Sequence, residues 1–100
     1  MKGIDELQRK EDFINWLDKI TKLSSSTRDK YAGSINTISR ELKGCNILNS
    51  ILYYIIDPII IKSYKIKYLS IEEFQAKDIR GNRMYSNALK HYKKYVESIS

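Results

Sequence analysis

The sequence predicts an all-α domain, a compact bundle of about five helices. Apolar residues recur at three- and four-residue spacing through most of the chain, which is the period of a helix and not of a strand. Serine, Asp-Pro and glycine stand where those periodic stretches begin and end, the places at which helices are capped. The chain of 100 residues, 42% of them hydrophobic, suits one domain spanning residues 1–100 with a single modest core.

The first helix is expected from about Asp5 to Lys22. Phe13, Leu17 and Ile20 recur at helical spacing, with Leu7, Ile14 and Trp16 extending the face. Asp5 and Glu6 open it and Lys19 and Lys22 close it, each with the sign that complements the helix dipole. Leu23-Ser24-Ser25-Ser26 is the break. Ser26 and Asp29 resemble a capping box, so the second helix should start near Thr27. Its inner face is Tyr31, Ile35, Ile38 and Leu42, and Gly44 is its stop. Lys30, Gly33, Thr37 and Arg40 form the opposite face. Gly33 is either simply tolerated there or lets a second backbone come close.

Residues 46–56 read two ways. Ile47, Ile51 and Tyr54 fit a helix, while the β-branched content fits a buried strand. Asp57-Pro58 then looks like an N-cap followed by proline at the first helical position, starting a third helix with Ile61, Tyr64 and Tyr68 inside. The strict alternation Tyr64-Lys65-Ile66-Lys67-Tyr68 is the competing strand signal. Ser70-Ile71-Glu72-Glu73 reads as another capping box, opening a short helix to about Lys77, with residues 78–82 as a loop. In the last helix Tyr85, Ala88, Leu89, Tyr92, Val96 and Ile99 share one arc, and Arg83, Asn87, Lys90 and Lys94 lie opposite. The expected core joins Trp16, Leu17, Tyr31, Ile35, Ile38, Leu89, Tyr92 and Val96.

Composition narrows the function classes. Lys and Arg total 18 against 12 Asp and Glu, a net charge of +6, which favours a polyanionic partner. The surplus is local: from Lys77 to Lys94 there are six basic side chains and one acid, Asp78. Cys45 is the only cysteine and His91 the only histidine, so an intrachain disulfide is impossible and a Cys/His metal site is not expected. One cysteine fits a reducing cytoplasm, and no signal peptide or membrane-spanning run is evident. No phosphate-binding glycine loop is present, so no cofactor is expected. His91 lies among lysines beside the apolar arc, and Cys45 follows a turn glycine without a neighbouring base. Neither forms a catalytic constellation. Each lysine alone is an ordinary solvated side chain. Two helices with basic outer faces point to nucleic acid, with Lys30 and Arg40 on one and Arg80, Arg83, Asn87, Lys90 and Lys94 on or beside the other. Lysine and arginine neutralise phosphates, and asparagine reads an adenine edge.

Two stretches carry a resemblance. FINWLDKITKLSSSTRDKYAGSINTISREL, residues 13–42, is similar to the opening of the SAM-like core-binding domain of tyrosine recombinases and phage integrases. GNRMYSNALKHYKKYVES, residues 81–98, resembles the closing helix of a module found at the N-terminus of HNH-type and McrBC-type restriction endonucleases. The resemblance implies a helical, non-catalytic module that engages duplex DNA, with phosphate contacts on Lys30 and Arg40 and on Lys90 and Lys94. It also implies an accessory module or N-terminal fragment whose catalytic domain or subunit lies elsewhere, since the recombinase Arg-His-Arg-Tyr set and the HNH and ATPase motifs are missing. The alternative is a protein-interaction or oligomerisation module whose basic helix docks an acidic partner.

Overall fold

Where each helix starts is decided by a few side chains. In the computed structural model, which describes residues 6–99, the chain forms α1 (Glu6–Ile20), α2 (Ser25–Gly44), α3 (Pro58–Ser70), α4 (Glu72–Arg80) and α5 (Met84–Ile99). A single 3₁₀ turn, Leu52–Tyr54, lies between α2 and α3, and there is no strand among the described residues. The all-α expectation therefore holds. The Asp57-Pro58 signal wins over the alternation that follows it: Asp57 accepts from the Ile59 N–H at 2.9 Å. Wound into a helix, Tyr64 and Tyr68 lie one turn apart, and Ile66 turns to solvent.

Two caps differ from expectation. Ser24, not Ser26, caps α2, accepting from the Thr27 N–H at 3.2 Å. A tie to α1 accompanies it, because Arg28 Nη1 donates to the Leu23 carbonyl and pairs with Asp18. Ser70 is no cap for α4. Its hydroxyl donates back to the Lys67 carbonyl at 2.7 Å, and Ile71 takes the N-cap position without a side-chain bond. The short helix runs on to Arg80, so Asp78, expected in a loop, is a helical residue only 1% exposed. Its Oδ1 accepts from the Ser86 N–H at 2.9 Å and its carbonyl from the Arg83 N–H at 2.7 Å. One carboxylate thus satisfies the start of the next helix from the helix before it. The turn between them holds Asn82 and Arg83 at φ 57° and 61°. Asparagine tolerates this left-handed region; arginine carries a strain of about 1–2 kcal/mol there.

α5 is the hub, packing against α1, α2, α3 and α4. Ala88, Leu89, Tyr92 and Val96 are buried, as the arc requires, together with Tyr95, which the arc omitted. Phe13 and Trp16 account for Tyr95: their rings lie 5.6 and 5.9 Å from its ring. Phe13 and Leu17 are buried on α1, Tyr31, Ile35, Ile38 and Leu42 on α2, and Ile61 and Tyr68 on α3. Trp16, Tyr64 and Tyr85 are half-buried against this core. The expected arcs overreach at their ends, because Leu7, Ile20 and Ile99 are exposed. They sit in the terminal turns of α1 and α5. Asp5 falls outside the described residues, and Lys22 follows the end of α1.

Residues 45–57 are irregular, yet they belong to the core. α2 stops at Gly44, but Asn46, at φ 60°, makes the left-handed reversal. Leu48, Leu52 and Tyr53 are then buried. Their backbone is held by hydroxyls. Ser39 accepts from the Leu52 N–H, the Tyr53 hydroxyl donates to the Ala32 carbonyl at 2.6 Å, and Tyr92 reaches the carbonyls of Leu52 and Ile55. Burial pushes the hydroxyl pKa of Tyr53 and of Tyr92 well above the ordinary phenol value. Tyr68 moves the same way, by burial and then by its hydrogen bond to Glu41.

Candidate nucleic-acid interface

α3 and α5 pack side by side. Along their seam runs a surface groove of about 280 Å³, lined by Lys62 and Lys65 of α3 and Lys90, Lys93, Lys94 and Glu97 of α5. Helical spacing explains the set. Lys62 and Lys65 are three residues apart, and Lys90, Lys94 and Glu97 follow steps of four and three, so each helix lines one wall with a single row of side chains. Five lysines face one glutamate, and that glutamate is engaged by Lys93 at 3.0 Å. No ion pair joins Lys62, Lys65, Lys90 or Lys94 among the described residues. Like charges gathered in a groove raise the local potential and draw in anions. Lysines act as mobile point charges that neutralise phosphates without fixing their geometry.

The groove takes in two of the residues singled out in the sequence, Lys90 and Lys94. Lys30 is exposed on α2 and lines no part of it. Arg40 bonds to Thr37 and lines a separate recess with Glu6, Asn36, Ser39, Lys43 and Ile51. Arg80 and Arg83 are exposed at the end of α4 and in the strained turn. Asn87 is half-buried, shares the Lys90 stripe and is not part of the groove lining; its carbonyl is bonded by His91 Nδ1 at 2.8 Å. The His91 ring also lies against Tyr31, with centroids 5.2 Å apart and the planes tilted by 37°. A Cβ at Gly33 would meet nothing within 4 Å among the described residues, so none of them uses that glycine for close approach.

Lys77, counted in the basic surplus, is structural. Its Nζ bonds Glu41 at 2.7 Å and rests 4.7 Å from the centre of the Tyr85 ring. Burial alone would lower its pKa, but the Glu41 hydrogen bond and charge outweigh that and raise it. The same Glu41 accepts from the Tyr68 hydroxyl at 2.7 Å, which knits α2, α3 and α4 together.

Sequence reasoning missed Lys62 and Lys65 on α3, and Lys93 on α5. The signal of the first two was available: α3 carries Lys62, Lys65 and Lys67 and no acidic residue. Comparison with protein-family models, with curated proteins and with solved structures gives no match for this chain.

Proposed function

We propose that this chain is a DNA-binding module that contacts duplex phosphates through the lysine groove between α3 and α5. The observation that carries the reading is the convergence of five lysines from two helices, opposed by one glutamate that Lys93 already engages. Phosphate contacts supply affinity without sequence information. Asn87 stands outside the groove lining, so the site as built positions a backbone and reads no base. The reading assigns no catalysis to the chain. The resemblance of residues 13–42 and 81–98 to recombinase and restriction-endonuclease modules supplies the context: an accessory domain beside a catalytic domain or subunit.

Salt titration of duplex binding tests it. The logarithm of the binding constant falls with log salt by roughly 0.9 per neutralised phosphate on B-DNA. Lys62→Ala, Lys65→Ala, Lys90→Ala and Lys94→Ala should each lower that slope by about one unit, equally on duplexes of unrelated sequence. Lys30→Ala and Arg40→Ala should leave it unchanged. Equal slopes in all six variants would remove the groove from the interface, and absence of binding at low salt would reject DNA as the partner of this chain.

A further inference from the structure

α3 turns apolar residues both ways. Ile61 and Tyr68 face the core, while Ile59 and Ile66 are 77% and 61% exposed. These two lie seven residues apart, on one stripe of the helix, with the small Ser63 between them. Ile56 and Ile60 extend the exposed apolar surface at the start of the helix. A solvent-facing helix normally keeps such a stripe polar, and clustered exposed isoleucines mark a contact surface more than isolated ones do. The flanks are charged. Lys62 borders the stripe on the groove side, and Lys67, lying over the Tyr64 ring at 5.3 Å, borders it on the other.

We propose that the outer face of α3 docks an acidic amphipathic helix of a partner domain or subunit, with Ile59 and Ile66 as the apolar anchors and Lys67 as a charge contact. Charge complementarity selects this occupant. α3 contains three lysines and no acid, so a symmetric pairing with a second copy would set lysine against lysine across the seam. A helix with apolar residues at i, i+3 or i+4 and i+7, and glutamates beside them, meets both the isoleucines and the lysines. The stripe is separate from the DNA reading, because neither isoleucine nor Lys67 lines the groove.

The test is a phage-displayed library of helical peptides selected on the full chain, with Ile59→Asp/Ile66→Asp as the counter-selection. Both positions are exposed, and the variant's fold is to be checked by circular dichroism. Expected are net-acidic peptides with apolar residues at helical spacing. The best of these, made synthetically, should bind the double variant about tenfold or more weakly and Lys67→Glu several-fold more weakly by fluorescence anisotropy. Duplex binding by Ile59→Ser/Ile66→Ser, which adds no charge beside Lys62, should keep its salt slope, so that failure of docking leaves the groove reading intact. Enrichment of nothing, of neutral or basic peptides, or of peptides indifferent to Ile59 and Ile66 overturns the proposal. So does binding to phosphatidylserine vesicles that needs the two isoleucines, which would give the stripe to a lipid surface. Concentration-dependent dimerisation in sedimentation velocity that is lost in the double variant would give it to a second copy.

Discussion

Helices α3 and α5 lie against each other and share one groove, yet they are built on opposite rules. α5 separates its residues: Ala88, Leu89, Tyr92 and Val96 go inward, and Lys90 and Lys94 go outward. α3 does not, and isoleucine appears on its core side, its outer side and its N-terminal end. An amphipathic helix is complete once its single face is covered. A helix apolar on two sides is complete only when both are covered, and this domain covers one. The contrast separates what each helix does for the fold from what it offers to the outside.

The broadest way to break the comparison is alkali, because it attacks what the two inner faces have in common. Tyr68 on α3, Tyr92 on α5 and Tyr53 beside them all have hydroxyl pKa values raised by burial. The folded chain therefore holds these protons more tightly than the unfolded chain does. Their contribution is complete below the unfolded phenol pKa of about 10 and is lost as pH rises beyond it. Urea melts at pH 8 and above pH 11 should show a large fall in midpoint. A flat profile would mean that these hydroxyls reach water.

Truncation on the inner faces comes next. Leu89→Ala on α5 and Ile61→Ala on α3 should each destabilise by about 2–5 kcal/mol, since both side chains are fully buried. A loss at Ile61 much smaller than at Leu89 would show that α3 is only loosely docked. Asp78→Ala should cost about 1–3 kcal/mol, because the half-buried Ser86 N–H loses a charged acceptor. Asp78→Asn, which keeps an acceptor oxygen, should lose less. The smallest effect sharpens the contrast most. Ile59→Ser and Ile66→Ser should move stability by no more than about 0.5 kcal/mol, although they remove the same side chain as the damaging change at Ile61. Thermal melts of this pair would contradict the outward placement if either lost as much as Ile61→Ala.

How much could be read in advance follows from the same contrast. α2 and α5 were legible because each carries one apolar row at a clean helical period, and every residue assigned to the inner face of α2 is buried. α3 was ambiguous because apolar residues on two faces erase the period, leaving the Asp57-Pro58 start as the deciding mark. The ends of α1 and α5 misled, since a wheel extends an arc past the point where a neighbour exists to cover it. The groove was half legible. Lys90 and Lys94 stand on one stripe in the sequence, but their union with Lys62 and Lys65 depends on which helix packs beside α5, and no spacing within one helix encodes that. Asp78 was hidden for a similar reason: its partner, the Ser86 amide, belongs to the next helix.

The irregular stretch after α2 has a further consequence. Connecting segments are ordinarily where amides exchange with solvent first and where insertions do least harm. Here Ser39 of α2 and Tyr92 of α5 bond the Leu52 amide and carbonyl, and the Tyr53 hydroxyl ties the next residue to Ala32 of α2. The Leu52 amide should exchange as slowly as the middle of α5, opening only when the whole domain opens. A residue inserted beside it should disturb the domain as an insertion within a helix would.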